Sequence, residues 1–521
     1  MTKSRRRIAL ATGVLVLWVA GLGMLVHREL FRPPLERLAE AGMRVTPGAQ
    51  YYAVLQGDRQ IGFASSTIDT TNGGVRVVDY LVADLPIAGK IHRASARSSI
   101  ELSRTLRVNK FSVDVDADLA PIRVSGHVTG DTMLLAVGGL RGVPVDTQRI
   151  ALRGPVLLPT LVPLAVALGE QPKVGDSFTL PVFDPVAMVP RDVKVSVTAE
   201  SVFVRHDTSV VNPVTNRWEG ALPDTIRAWR LSSSTTSGGR AGFEGWVDAQ
   251  GRVVRVSQLL GLTLEARPYE VAFQNWKTDE AARGDIVTAD RDIYETTAIS
   301  ARKPLRSNLR QLRVRLTGVD LADFDVKGYR QQLRGDTLTI TREDSVALRT
   351  NYRLPVGARA SVMAVFLGPE PLLEVRNAEI QQLARALRGT EGDPRVVAER
   401  INDWVHDSLK QEITVGVPSA LATLHARVGD CNEHTQLYVA LARAAGIPAR
   451  VAAGLTYLDG KFYYHAWPEV WLGIRWVAVD PTFGQFPADA SHLRFTVGGL
   501  GRQAELLRLM GALHIDVLSA R

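Results

Sequence analysis

Apolar and polar residues alternate one by one through much of the first half of the chain. Every second residue from Val193 to Val197 is valine, and a Gly57-Asp58 turn follows an early apolar run. A period of two with short Gly/Asp turns is typical of antiparallel sheet with one buried face. We therefore predict a β-rich domain over residues 49–300.

The same alternation returns in a shorter segment further along. Leu312, Val314 and Leu316 are separated by arginines, and Gly335 begins a turn between two more apolar runs. This pattern predicts a second, smaller β domain over residues 305–370.

Helical spacing replaces alternation after about residue 375. Asp393 and Pro394 form an N-cap followed by a proline at the first helical position, and apolar residues then recur every four positions from Val397 to Leu409. This helix is predicted to be scaffold for the segment over residues 375–495.

The amino terminus carries an apolar run long enough to cross a membrane. Residues 8–26 contain no charged side chain, and Lys3 and Arg5 to Arg7 precede them. At ~1.5 Å per residue, a helix over this run spans a ~30 Å hydrocarbon core. Because basic flanks stay in the cytoplasm, we predict a cytoplasmic tip and anchor over residues 1–30 and a periplasmic remainder. A cleaved signal peptide is the alternative, although its apolar region is usually only ~7–15 residues long.

A second uncharged run, over residues 155–168, also has to be weighed as a membrane span. It is shorter than a span requires, and Pro155, Pro159 and Pro163 interrupt it. We therefore predict a buried or interfacial connector there.

The positive charge of the chain is concentrated at its amino terminus. The formal net charge is +8, and residues 1–45 hold eight Lys/Arg against Glu29, Glu36 and Glu40. The remainder of the chain is nearly balanced and offers no basic face for nucleic acid. We expect no nucleic-acid partner.

The chain contains one cysteine, and it lies where a helix is predicted to begin. Asp430 can cap this helix, and Glu433 completes the spacing of a capping box. Cys431 then occupies the first helical position, where free backbone N–H groups and the helix dipole favour a thiolate and could hold an oxyanion. We predict a lowered pKa for the Cys431 thiol.

Two predicted strands after this helix carry a histidine and an aspartate. His465 lies in the first strand and Asp480 at the end of the second. A two-residue turn at Leu472-Gly473 would place the two side chains directly opposite each other, with Cβ atoms about 4.5–5.5 Å apart. A connection two residues longer would keep both on one face and make the contact diagonal.

A preceding hairpin determines the other neighbour of this histidine. Asp459-Gly460 is a strong turn signal, and its register places Gly454 beside His465. The missing side chain at Gly454 leaves space against the imidazole, where a substrate backbone could lie. Gly454 is therefore a predicted substrate contact.

The motifs of this segment resemble those of the transglutaminase-like superfamily, the papain-related Cys-His-Asp enzymes. The likeness rests on Gly429-Asp430-Cys431, Tyr464-His465-Ala466-Trp467 and Val479-Asp480-Pro481-Thr482, in this order. The resemblance implies that Cys431 is the nucleophile, His465 the general base and then acid, and Asp480 the residue that orients the imidazole. The chain lacks the calcium-loop pattern of animal transglutaminases and looks more like bacterial, membrane-anchored members. Their chemistry ranges over peptidase, amidase and crosslinking reactions.

Two further residues are candidates for substrate contact. His434 lies one turn after the cysteine and could be an alternative base, although we favour a place in the site wall. Trp467 could line a substrate groove, although aromatic residues at strand spacing more often belong to a core. The remaining histidines show no metal-ligand spacing, so we expect neither a metal nor another cofactor.

At 521 residues the chain is too long for a single core. We predict an α+β fold in which a papain-like transglutaminase core lies at the C-terminal end, preceded by antiparallel β-rich domains and one N-terminal transmembrane helix. The predicted segments are an anchor (1–30), a spacer (31–48), a β-rich domain (49–300), a small β domain (305–370), a catalytic domain (375–495) and a C-terminal tail (496–521).

The expected function is that of a membrane-anchored, extracytoplasmic thiol enzyme acting on amide bonds of a peptide, protein or envelope substrate. Hydrolysis by a cysteine peptidase or amidase is favoured, because water outcompetes any amine that is not specifically bound. Transfer to an amine, as in a transglutaminase, is the alternative reaction. A non-catalytic envelope binding or scaffold protein is the alternative of another class.

Overall fold

The computed structural model describes residues 45–521 with short gaps. The gaps are residues 72, 119–120, 140–145, 169–170, 186–187, 236–243, 258–261, 283–286, 302, 345–347 and 355–360. The predicted anchor over residues 8–26, and the predicted spacer up to residue 44, lie outside the described residues. No helix within the described ranges is long and apolar enough to cross a membrane.

Antiparallel strands dominate the first part of the described chain. They are β1 (Gly48–Gln56), β2 (Arg59–Thr71), β3 (Gly74–Ile87), β4 (Lys90–Ser103), β5 (Val108–Asp116), β6 (Ile122–Thr129), β7 (Thr132–Gly139), β8 (Asp146–Ala151), β9 (Ser177–Asp184), β10 (Val189–Asn212), β11 (Arg217–Thr235), β12 (Glu244–Asp248), β13 (Val253–Ser257) and β14 (Leu262–Arg267). Within the described ranges these strands form one sheet, in which β1 pairs with β14 and sequence neighbours pair, except that β8 and β9 are the two outer strands.

The apolar residues of these strands bury a common core. Phe111, Phe183 and Trp229 are among its largest buried side chains. The uncharged run over residues 155–168, which includes helix α1 (Val162–Leu168), packs into the same cluster. The prediction of a buried connector is therefore confirmed.

The remaining elements follow in chain order. The helices are α2 (Asn275–Ala282), α3 (Ile293–Thr297), α4 (Ala378–Arg388), α5 (Pro394–Ser408), α6 (Ala420–Ala426), α7 (Cys431–Ala444) and α8 (Leu500–Gln503). The strands are β15 (Ile299–Ser300), β16 (Gln311–Thr317), β17 (Gln331–Arg334), β18 (Thr337–Thr341), β19 (Lys410–Gln411), β20 (Val428–Gly429), β21 (Ala449–Leu458), β22 (Lys461–Trp471), β23 (Trp476–Ala478), β24 (Leu493–Val497) and β25 (His514–Ala520).

A small sheet combines distant parts of the chain. Its order is β17-β18-β16-β25, so the segment predicted as a C-terminal tail supplies an outer strand. Leu312 and Val314 on β16 share one hydrophobic cluster with Phe462 on β22 and Phe495 on β24. The small sheet therefore packs directly against the sheet that carries the predicted catalytic histidine.

Four helices and the sheet that carries His465 form the C-terminal core. Asp393 caps α5 and Pro394 occupies its first turn, as predicted. Helix α7 is central, since its residues from Glu433 to Arg443 are buried. It contacts α4, α5 and α6 on one side and strands β21 and β22 on the other. The architecture is β-rich, with a helix-containing domain at its C-terminal end.

The two predicted hairpin registers have different outcomes. Gly454 lies opposite His465, as the Asp459-Gly460 turn predicted. The prediction of a two-residue turn at Leu472-Gly473 was wrong. Residues 472–475 form the connection between β22 and β23, and Trp471 lies opposite Trp476. The longer connection shifts Asp480 beyond the end of β23, to a position diagonal to His465.

Candidate active site

The start of α7 has the geometry that its sequence predicts. Asp430 accepts hydrogen bonds from the amides of Asn432, at 2.8 Å, and Glu433. The Glu433 carboxyl in turn accepts from the Asp430 amide at 2.9 Å. Cys431 is thus the first residue of the helix. Since Asp430 occupies the next two amides, the amide of Cys431 remains as the helix-end donor that an oxyanion could use.

The prediction that the pKa of Cys431 is lowered is wrong. Burial raises the pKa of the Cys431 thiol, and the charge of the adjacent Asp430 raises it further. A hydrogen bond from the Ala466 amide acts in the opposite direction. The helix end favours a thiolate, but the carboxyls packed around it oppose one.

His465 and Asp480 meet in the interior. His465 Nε2 lies 2.8 Å from Asp480 Oδ2, and the residues are 4% and 0% exposed. The second carboxylate oxygen accepts from the amides of Thr482, at 2.8 Å, and Phe483, at 3.2 Å. Although burial alone would raise it, the pKa of Asp480 is lowered by the nearby histidines. The carboxylate is therefore held ionised and in one orientation, and ring nitrogen Nδ1 of His465 is the one left for a thiol.

Aromatic rings fix the plane of this imidazole. Phe483 stacks on His465 with ring centroids 4.9 Å apart and an interplanar angle of 15°. Trp467 also stacks on it, at 6.0 Å and 25°. The Trp467 side chain is only 1% exposed, so the hypothesis that it lines an open substrate groove does not fit its burial. It packs behind the histidine.

Gly454 does not provide the space that the sequence suggested. A Cβ atom at this position would lie 1.9 Å from the Leu493 carbonyl oxygen of β24. Gly454 pairs with His465 on one side and Arg494 on the other. The correction is physical: the missing side chain lets β24 approach, so the chain's own backbone fills the space proposed for substrate.

His434 belongs to the wall next to the helix start. Its Nδ1 lies 2.7 Å from the backbone oxygen of Asp430, and the residue is 1% exposed. Burial lowers the pKa of His434. This geometry agrees with the favoured interpretation, in which His434 packs and hydrogen bonds, because its Nδ1 is committed to a carbonyl.

A second histidine binds the aspartate, and no sequence pattern indicated it. His492 Nε2 lies 2.8 Å from the same Asp480 Oδ2 atom. His492 shows no metal-ligand spacing in the sequence. In the fold, however, one possible ligand atom each of His465, Asp480 and His492 lie within 4.8 Å of one another. The 2.8 Å separations are those of hydrogen bonds, so the three residues satisfy one another. No local motif could have identified His492, which reaches the site through the loop before β24.

The large sheet also contributes to the surroundings of the cysteine. The turn between β3 and β4 donates two backbone N–H groups to Asp292, at 2.6 and 3.0 Å. Asp292 caps α3, which carries Tyr294. Tyr294 stacks on Tyr463 with ring centroids 4.5 Å apart. Burial raises the pKa of Tyr294, and a thiolate at Cys431 would raise it further. Tyr294, which lies outside the 375–495 segment, is thus near enough to Cys431 for the two side chains to interact electrostatically.

These features define a half-buried cysteine at a helix start and a buried His-Asp pair, on a sheet covered by helices. Residues 381–481 match the transglutaminase-like superfamily. No curated protein matches the sequence.

Three solved structures are similar to parts of the chain. A provisionally named cysteine protease from Cytophaga hutchinsonii is 18% identical, with a TM-score of 0.28, over 40% of this chain and 86% of that one. A β-barrel-like protein of unknown function from Brucella abortus is 10% identical, with a TM-score of 0.31, over 43% and 95%. A provisionally named protease from Parabacteroides distasonis is 12% identical, with a TM-score of 0.19, over 56% and 62%.

Proposed function

We propose that the chain is a thiol enzyme that hydrolyses amide bonds through an acyl-enzyme on Cys431. The observation that carries this proposal is the buried contact of 2.8 Å between His465 and Asp480, next to a helix that begins at the cysteine. A protein that only binds a partner has no need to keep a nucleophile, a base and an orienting carboxylate together.

The proposed reaction begins with proton transfer from the Cys431 thiol to His465 Nδ1. The sulfur attacks the amide carbonyl carbon, and the resulting oxyanion accepts a hydrogen bond from the Cys431 amide. The imidazolium then protonates the leaving amine as the C–N bond breaks, which gives a thioester. Water attacks the thioester with His465 as base, releasing a carboxylic acid and regenerating the thiol. Asp480 holds the ring and stabilises the imidazolium throughout.

The substrate class we propose is a peptide, protein or envelope amide met outside the cytoplasm. This part of the proposal rests on the basic and apolar amino terminus, in which Lys3 and Arg5 to Arg7 precede the uncharged run 8–26. Water is the proposed acceptor, with transfer to an amine as the alternative reaction.

The full chain, incubated with a set of N-acetylated peptide amides, tests the reaction. Mass spectrometry should detect the free acid, and added cadaverine should not replace it with an amine adduct. Adduct formation in preference to acid would instead identify a transglutaminase. Failure of Cys431→Ala to abolish both products would refute the thiol mechanism.

Variants of the two buried partners test the roles. In wild type, the Nε2 atoms of His465 and His492 both donate to Asp480, and in Asp480→Asn they would face the N–H groups of the new amide instead. Turnover should therefore fall by a factor on the order of 10²–10⁴. His465→Gln should be inactive, whereas the matched His434→Gln should retain most activity because its ring bonds a carbonyl. The reverse order of the two histidine variants would contradict the assignment of His465.

A further inference from the structure

Asp480 lies between two histidines, of which the proposed reaction uses one. Its Oδ2 atom is 2.8 Å from Nε2 of His465 and 2.8 Å from Nε2 of His492. The rings of the two histidines are 5.6 Å apart, and His492 is 1% exposed. The second histidine is therefore buried against the group that orients the first.

Both ring nitrogens of His492 face oxygen acceptors. Nε2 faces the Asp480 carboxylate, and Nδ1 is 3.3 Å from both the carboxylate and the backbone oxygen of Asp489. An acceptor-only partner requires a proton on the nitrogen that faces it. A neutral ring would direct one lone pair at oxygen, so the geometry favours the doubly protonated imidazolium.

Asp489 is itself fixed in place. One of its carboxylate oxygens accepts from the Ser491 amide at 2.9 Å and the Ser491 hydroxyl at 2.6 Å. The pKa of Asp489 is lowered, although its burial alone would raise it, because His492 is nearby. In the same way, the pKa of His492 is raised by the two carboxylates in spite of burial. The titratable groups that face His492 in the described structure are Asp480, Asp489 and His465, and the Arg330 guanidinium donates to the same Asp489 backbone oxygen at 2.6 Å.

We propose that His492 is a positioning residue, held as an imidazolium between Asp480 and Asp489, that limits the negative charge presented to the His465 and Cys431 pair. This proposal rests on the proposed function, since it concerns the same nucleophile and base. A positive charge beside Asp480 offsets part of the aspartate charge that opposes thiolate formation. His492 thus acts through Asp480 and does not touch the reacting atoms.

The single cysteine allows a test without a substrate. Alkylation of the full chain by iodoacetamide is followed from pH 5 to pH 10, because its rate measures the thiolate at Cys431 alone. In His492→Gln the rate profile should move to higher pH by at least roughly half a unit, which is about a threefold loss of rate on its acidic limb. The matched control is His425→Gln, which changes an exposed histidine paired with Glu379 and should leave the profile unchanged.

A spectroscopic measurement checks the charge directly. In a ¹⁵N-histidine-labelled full chain at pH 7.5, the signal that disappears in His492→Gln should have the shift of an imidazolium. Asp489→Asn, which keeps the shape and removes one of the two carboxylates, should allow that signal to become neutral and should move the alkylation profile in the same direction. This variant decides the question if His492→Gln does not fold.

The outcomes separate this proposal from the proposed function. An unchanged alkylation profile in a folded His492→Gln, or a neutral His492 ring in the wild type, would overturn the role of His492 alone. If His465→Gln also alkylated like the wild type, the triad itself would be refuted.

Discussion

The substitution Gly454→Ala tests whether this glycine serves the fold or the substrate. A Cβ atom there would lie 1.9 Å from the Leu493 carbonyl oxygen, 2.9 Å from its carbon and 3.0 Å from Arg494 Cα. Ordinary contacts of a Cβ atom begin at 3.4 Å. The obstruction is backbone, so no side-chain rotation can relieve it, and β24 would have to move by roughly 1.5 Å.

The cost of that movement is set by the buried side chains of β24 more than by its pairing with β21. Only four residue pairs join β21 to β24 in the described sheet, and their register already shifts next to Gly454. Leu493 and Phe495 on the displaced strand are fully buried. Overpacking a well-filled core costs typically 1–3 kcal/mol, and a backbone clash lies at the upper end, so we expect a loss of about 3 kcal/mol.

Hydrogen exchange measured by mass spectrometry can localise this loss. Amides of β21 and β24 should exchange faster in Gly454→Ala, because the free energy of their local opening should fall by about 3 kcal/mol. The matched control is Gly368→Ala, where the nearest atom to a new Cβ is 3.7 Å away. If Gly454→Ala kept wild-type exchange and lost only substrate turnover, the strand-contact reasoning would be refuted and a substrate contact at Gly454 supported.

Two further predictions concern the carboxyl beside the cysteine and the topology of the chain. Burial and the Asp430 charge raise the pKa of Glu433 to about 9. The contribution of this protonated carboxyl to the free energy of unfolding should therefore be complete below the ordinary carboxyl range. It should decline towards pH 9, by at most about 1.4 kcal/mol per pH unit. Glu433→Gln should lack this decline in denaturant titrations between pH 5.5 and 8.5, and parallel profiles would contradict it. A reporter fused after Arg521 should be active only outside the cytoplasm, in a protein that retains residues 1–30. Cytoplasmic activity, or a mature chain beginning after Gly23, would show that the anchor assignment is wrong.

Local sequence signals predicted the parts of the site that depend on neighbouring residues. The Asp430 and Glu433 capping box placed Cys431 at the first helical position, and the Asp459-Gly460 turn fixed the partner of His465. Each signal works because the interacting groups are separated by a few residues, so backbone geometry alone determines their contact.

Contacts between distant segments were beyond this kind of prediction. Strand β25 pairs with β16 across nearly two hundred residues, which no turn or cap encodes. The same holds for Asp292, which binds the turn between β3 and β4. The space beside Gly454 was misassigned for this reason, since only the folded chain shows that β24 occupies it.

The charge of the site is the clearest case in which long-range packing overrides a local rule. The helix end favours a thiolate at Cys431, but burial by the packed chain opposes it, as do the charges of the adjacent Asp430 and of the distant Asp480. Protonation of two buried groups reduces this opposition to the thiolate. Glu433 is one, with its pKa raised to about 9, and His492 is the other. These protons should be distinguishable at pH 7: Glu433→Gln replaces a group that is already neutral and should leave the alkylation rate of Cys431 unchanged, whereas His492→Gln removes a positive charge and should slow it. Equal effects of the two substitutions would mean that packing, and not charge, controls the thiol.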